Sequence, residues 1–294
     1  MLTASVRLGL ATKLLRLTRS RLKNALLFTF STFAGLVIVT GGKFNPFVGV
    51  LAPLSMFALM LGVYLLNDYS DLDVDLVNAP NRPLASQAVT KRETLGFILF
   101  LNSVGITIAF FLGWLAFSVA LLEVLLGVVY SIKPFNFKDV FILKTLTVGA
   151  GGILANIYGG LSAGIVNSDL LFCSLIFLVF IFSTSPLNDL ADYTGDKLQN
   201  RKTIPIVIGA KKTIALSAFM SVVPPVFALI LFDMLRLNMV SIVVLSLVAA
   251  RCIQLLLPIM KSEPNLATVK KQHRKMYYLH FLVQGAIMLG CLPL

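Results

Sequence analysis

Nine stretches of roughly 20 apolar residues run along this chain: about 24–41, 46–66, 94–112, 113–130, 140–164, 168–187, 213–233, 238–260 and 276–293. A run of about that length and character spans the hydrocarbon core of a bilayer as an α-helix. The expected fold is therefore an all-α membrane protein, with about nine transmembrane helices around a central cavity. Only 13% of the 294 residues are charged and 57% are hydrophobic. A water-soluble domain carries about 25% charged residues, so this chain lacks the polar surface a soluble fold needs. No linker divides it, and residues 1–294 are read as one polytopic domain.

The net charge of +12 would suit a nucleic-acid binder. Its distribution argues against that partner. With the N-terminus in the cytoplasm, 22 Lys and Arg residues fall in cytoplasmic segments. Only Lys43 and Arg236 fall on the other side, and Arg251 lies within a span. That asymmetry is a topology signal, and it expects an integral, multi-pass protein of the cell membrane with its C-terminus on the opposite side. Basic loops at this face also attract anionic membrane lipid or phosphate. Residues 1–23 are basic and free of acid, which reads as an interfacial segment leading into the first span or as a transit segment. Cys173, Cys252, Cys291, His273 and His280 are each isolated, so neither a disulfide framework nor a histidine site is expected.

The acids are not scattered. Seven of thirteen lie in two segments, Asn67–Asp75 and Asn188–Asp196, which share the pattern N-D-x-x-D-x-x-x-D 121 positions apart. Each follows an apolar span, and each is followed by an Asn-Arg pair near proline (Asn81-Arg82 and Asn200-Arg201). The region reads as an internal repeat. On a helix, residues four apart share a face. Asn67, Asp71 and Asp75 then form one stripe bordered by Asp68, and Asp73 points elsewhere. Asn188, Asp192 and Asp196, bordered by Asp189, form the second stripe. Facing stripes of like charge repel unless a cation lies among them. All donors are oxygen, which suits Mg²⁺, Mn²⁺ or Ca²⁺. Arg82, Lys133, Lys138, Lys197 and Arg201 lie nearby and favour a phosphate-bearing ligand. Carboxylates, bases and an apolar cavity together suggest an isoprenoid diphosphate donor. Glu123, alone within a span, is left open between a structural contact and a site role.

At these residues the chain resembles the UbiA superfamily of intramembrane prenyltransferases. Asn67–Asp75 looks like that family's first signature, and Asp192–Asp196 like its second. Residues 78–86 are similar to its N-x-P-x-R-P-[IL]-x-S segment, and Tyr130-Ser131-Ile132-Lys133 to its Tyr/Lys loop. Two positions depart from the usual pattern: Gln87, where glycine often follows, and the entry segment Arg21–Asn24, which lacks a proline.

The resemblance implies two Mg²⁺ ions bridging the diphosphate. Asn67, Asp68, Asp71 and Asp75 would hold them on one side, and Asp189, Asp192 and Asp196 on the other. Asp71, Asp192, Asp196 and Lys133 are the expected catalytic residues. Asn24, Arg82, Tyr130, Lys133, Lys138, Lys197 and Arg201 are the expected diphosphate contacts. The activity implied is prenyl transfer to a lipophilic acceptor. The motif segments look most like those of an archaeal subfamily that alkylates the glycerol hydroxyl of geranylgeranylglyceryl phosphate with a geranylgeranyl group. An aromatic acceptor is the alternative within the family. An ion-coupled transporter is the rival outside it, although such sites lie near the bilayer midplane and these acids sit at span ends.

Overall fold

The computed structural model describes residues 9–235, 237–261 and 265–292. Arg7, within the basic leader, and Arg236, one of the two opposite-face charges, lie outside the described residues. The long helices are α1 (Leu10–Thr40), α2 (Pro46–Ser70), α4 (Lys91–Leu112), α5 (Trp114–Ser131), α6 (Leu143–Ser162), α7 (Ser168–Ala191), α10 (Ala210–Ile230), α12 (Met239–Met260) and α13 (Leu266–Gly290). Shorter pieces connect them: α3 (Leu72–Asn78), α8 (Tyr193–Leu198), α9 (Ile204–Ile208), α11 (Phe232–Leu235) and a 3₁₀ turn at Phe137–Asp139.

Every expected span has a long helix at its place, but seven of the nine are long and apolar enough to cross a membrane. The other two are α6, whose sequence is interrupted by five glycines, and α13, whose first half carries Lys270, Lys271, Arg274 and Lys275. The basic leader is not a separate element. Residues 10–23 continue without a break into the first span, giving α1 a length of about 46 Å.

Polar caps set where the helices begin. Asn45 Oδ1 accepts from the Phe47 amide with Pro46 in the first turn, and Thr90 and Glu93 form a capping box at α4. Asn167, Asn238 and Asn265 cap α7, α12 and α13 in the same way. These groups satisfy orphan amides at helix ends.

The helices form a closed ring. Each long helix packs on the next in the order α1, α2, α4, α5, α6, α7, α10, α12, α13, and α13 returns to α1. The ring contains two apolar cores. One, around Leu59, Met56 and Tyr158, belongs to the first half, and the other, around Phe180, Leu256 and Met276, to the second. Helices α6 and α7 are among the most enclosed, whereas α4 and α5 turn Phe100, Phe111, Trp114 and Leu125 outward. Outward apolar side chains of this kind suit a lipid-facing surface.

The acidic repeat is visible in the backbone. Asp71 ends α2 and begins α3 with φ −99° and ψ 17°, and Asp192 ends α7 and begins α8 with φ −102° and ψ 11°. Both are bends rather than breaks. The Asp71 amide still donates to the Asn67 carbonyl (2.9 Å), and the Asp75 amide to that of Asp71 (2.8 Å). The Asp192 and Asp196 amides repeat this pattern, each at 3.1 Å. The four-residue stripe therefore survives both bends.

Candidate active site

The two motifs meet. Helices α3 and α8 pack together, and Gly195 lies so close to Asn78 that a Cβ there would fall 2.3 Å from the asparagine side chain. Asn78 Nδ2 donates to the Asp192 carbonyl at 3.4 Å. Asp71, Asp75, Asp189, Asp192 and Asp196 then border one cavity of about 650 Å³, together with Asn67 and Asn188. Asp73 is exposed on the opposite side of α3, as the helical-face reading requires.

Arg201 ties the motifs together. Its guanidinium bonds Asp71 of the first motif, reaches Asp196 of the second at 3.4 Å, and pairs with Asp139 at 2.8 Å. Lys138 Nζ is 2.8 Å from Asp71 and donates to Ser70 Oγ at 2.7 Å. Lys144 Nζ is 2.6 Å from Asp189 and 3.7 Å from Asp196. Arg82 bonds Asp68 at 3.0 Å and also pairs with Asp75.

These charges leave the carboxylates unequally balanced. Burial pushes Asp71 up, but the Lys138 and Arg201 charges outweigh it and hold the group below the usual carboxylate range. Asp75 is pushed up to about 6, because burial exceeds what Arg82 returns. Burial likewise raises Asp192, against the opposing charge of Lys144.

The structure brings most of the residues expected from the sequence to one cavity. Asn24, Tyr130, Arg82, Lys138 and Arg201 all border the cavity. Three expected residues do not. Lys133, just before Pro134, is exposed and outside it, while the 3₁₀ turn brings Lys138 inward instead. Lys197 is exposed, with its ammonium 5.9 Å from the Tyr193 ring centre. Asp68 is buried beside the cavity rather than on its wall. It is held by Arg82 and by Arg21, whose Nε donates to it at 2.8 Å.

Other wall residues were not expected. Lys144, one of the 22 Lys and Arg residues in the charge asymmetry, reaches the wall from the first turn of α6. Lys270, His273, Arg274, Tyr277 and His280 of α13 also border the cavity. His280 is held structurally: Nδ1 donates to the Tyr277 carbonyl at 3.1 Å and Nε2 lies 3.1 Å from Thr184 Oγ1. Glu123 lines the apolar end of the cavity with Leu27, Phe28, Met60, Leu126 and Ile181, and its Oε1 has no hydrogen-bond partner among the described residues.

The donor set fits a hard divalent cation. Asn67 Oδ1 and Asp189 Oδ2 are buried and accept no hydrogen bond among the described residues. Unsatisfied buried oxygens of this kind want a cation or a donor. With basic side chains interposed, no three carboxylates among the described residues converge on one point. The same bases are placed to turn toward an anionic ligand. The cavity volume falls within the range of small-molecule sites. A charged head fits at its motif end and an apolar chain at the Glu123 end.

Comparison with known proteins bears on the fold and the family. The chain is 28% identical over 280 residues to the digeranylgeranylglyceryl phosphate synthase of Sulfurisphaera tokodaii, covering 93% of this chain and 96% of that protein. The structure of a UbiA homolog from Archaeoglobus fulgidus bound to GPP and Mg²⁺ superposes with a TM-score of 0.70 at 19% identity, covering 94% of this chain and 99% of that one. The apo structure of a UbiA homolog from Aeropyrum pernix K1 gives a TM-score of 0.75 at 17% identity, over 90% and 97% of the two chains. These neighbours share the fold. Residues 28–288 match the UbiA prenyltransferase family, and the chain belongs to that family.

Proposed function

We propose that this protein transfers a geranylgeranyl group from geranylgeranyl diphosphate to the glycerol hydroxyl of geranylgeranylglyceryl phosphate, a step of ether-lipid synthesis, with Mg²⁺ as cofactor. The observation that carries the reading is the pair of acidic motifs, joined through Arg201 at one end of an apolar cavity. A structure with the motifs at opposite ends of the molecule would have removed it. The similarity to a digeranylgeranylglyceryl phosphate synthase supports the choice of acceptor.

Asn67, Asp71 and Asp75 on one side, and Asp189, Asp192 and Asp196 on the other, would hold the cations. Bound there, Mg²⁺ supplies Lewis-acid neutralisation of the diphosphate oxygens. Arg82, Lys138, Lys144 and Arg201 stabilise negative charge as the allylic carbon–oxygen bond breaks. Their present partners are the same carboxylates, so no unpaired buried cation has to wait for substrate. Tyr130 and Asn24 border the same end and position the head. Leu27, Phe28, Met60 and Ile181 exclude water from the allylic cation while the acceptor oxygen attacks it. We read residues 1–294 as one polytopic unit with the motif loops and N-terminus in the cytoplasm, where the Lys and Arg excess lies.

The test is direct. Purified protein is given labelled geranylgeranyl diphosphate, Mg²⁺ and a panel of glycerol-phosphate and aromatic acceptors, and the product is identified. A doubly alkylated glyceryl phosphate is expected, with stoichiometric inorganic diphosphate. An aromatic product would replace the acceptor, and absence of diphosphate release with every acceptor would remove the transferase reading.

A further inference from the structure

Five of the eight basic side chains on the cavity wall are ion-paired to motif aspartates. The other three are Lys23 of α1 and Lys270 and Arg274 of α13, and they make no ion pair among the described residues. They share one side of the cavity. Helix α13 packs on α1, Tyr277 Oη donates to the Lys23 carbonyl at 3.2 Å, and the Lys23 ammonium lies 5.1 Å from the Tyr277 ring centre. Lys270 and Arg274 are one helical turn apart, a spacing at which like charges repel. Lys23 feels the charge of Arg274 as well as those of Arg21 and Arg82. His273 lies buried between them and is pushed down to about 3, by burial first and then by Lys23, His280, Arg274 and Lys270. Cations that merely mark the cytoplasmic face have no need to crowd together on a cavity wall. Lys23 and Arg274 are exposed yet line the cavity, whereas Lys271 and Lys275 of α13 are exposed and do not border it.

We infer that Lys23, Lys270 and Arg274 form a second anion site, which takes the phosphate monoester of the acceptor lipid while the motif end takes the diphosphate of the donor. The inference rests on the acceptor reading above and extends it to a place in the cavity. Two phosphorylated lipids in one cavity repel each other, and separate counter-charges allow both to bind at once. A phosphate monoester carries nearly two negative charges at neutral pH, a fair match for three cations. Lys270 borders the same cavity as Asp192 and Asn188 of the second motif. The site is therefore adjacent to the motif end, which places the hydroxyl of a short glycerol backbone near the allylic carbon.

The test uses the double variant Lys270→Gln/Arg274→Gln in nanodiscs of zwitterionic lipid. Initial rates are measured against geranylgeranylglyceryl phosphate, against geranylgeranylglycerol, which lacks the phosphate, and against the donor. The KM for the phosphorylated acceptor should rise at least about tenfold, since two charge-assisted contacts are lost. The KM values for the phosphate-free acceptor and the donor should stay within about twofold of wild type, and Lys270→Arg/Arg274→Lys should restore the phosphorylated acceptor. An unchanged KM for the phosphorylated acceptor, or an equal loss on all three substrates, overturns the inference. So does a deficit seen only in nanodiscs containing anionic lipid, which would assign the cluster to bilayer headgroups. Wild-type protein that ignores geranylgeranylglyceryl phosphate but alkylates an aromatic acceptor would overturn the acceptor reading itself. Wild-type protein that uses it, with a variant that matches, would overturn only the anion site.

Discussion

Asp71 and Asp192 occupy equivalent places in the two motifs, yet Asp71 has two basic partners and Asp192 has no ion pair among the described residues. Their variants should differ in stability and agree in activity. Asp192→Asn removes a half-buried charge that its surroundings disfavour, so its melting temperature without Mg²⁺ should equal or exceed that of wild type. Asp71→Asn leaves Lys138 and Arg201 short of a partner and should melt lower. Both should lose at least about a hundredfold in turnover. Asp73→Asn, on the exposed side of α3, should lose less than about threefold. Steady-state rates and thermal unfolding of the three variants check this, and an Asp73 loss as large as that of Asp71 would sink the cation-holding stripe. The aspartates were legible in the sequence because a four-residue spacing maps directly onto one helical face. The bases were less so. Nothing in the run from Tyr130 to Lys144 says that Lys133 stays outside while Lys138 and Lys144 turn in. That depends on the left-handed Asn136, the 3₁₀ turn after it and the packing of α6 on α7.

At the scale of elements, the acidic motifs could be placed at two helix ends because apolar runs stop there. Which helices bring them together could not be read, since periodicity is blind to partners. The glycines of α6 show the limit well. Their number announced close packing, but only the structure shows against what. Gly159 faces α1 so closely that a Cβ would lie 1.9 Å from the Thr32 carbonyl oxygen, and Gly35 of α1 returns the contact at 2.0 Å from the Asn156 carbonyl oxygen. Thr32 Oγ1 donates to the Ala155 carbonyl at 3.0 Å across the same crossing. Two backbones in contact cannot be pried apart by a methyl group without shifting a cavity wall that both helices help to form. Gly159→Ala should therefore lower the melting temperature by on the order of 5 °C. Gly285→Ala, on α13 with open space around it, should leave it nearly unchanged. Thermal unfolding in detergent separates the two. Equal melting temperatures would mean the α1–α6 crossing can relax at little cost.

The whole molecule adds what neither residues nor helices specify alone: a ring whose last helix closes on its first, leaving an internal space bordered by five of the motif aspartates and by eight basic side chains. The sequence disclosed the parts of that ring and its membrane setting. It could not disclose the closure, because the contact between α13 and α1 joins segments more than 200 residues apart. Closure also brings Lys270 and Arg274 of α13 to the cavity wall rather than leaving them in a free loop. The orientation proposed from the charge asymmetry can be tested at this scale. Lys43 follows α1 and Lys202 follows the second motif, and both are exposed. With α1 running outward from the cytoplasm, they must lie on opposite sides of the bilayer. In a chain whose Cys173, Cys252 and Cys291 are replaced by alanine, Lys202→Cys should react with a membrane-impermeant maleimide in inside-out vesicles and not in intact cells. Lys43→Cys should show the reverse. The charges of the motif end would then face the cytoplasm, where water-soluble diphosphate can leave, while the apolar end of the cavity stays at bilayer depth beside the lipid chains it is shaped to admit. Exchanged labelling patterns would invert that arrangement, because a reversal of α1 carries the motif loops with it, and labelling of both positions from the same side would dismantle it.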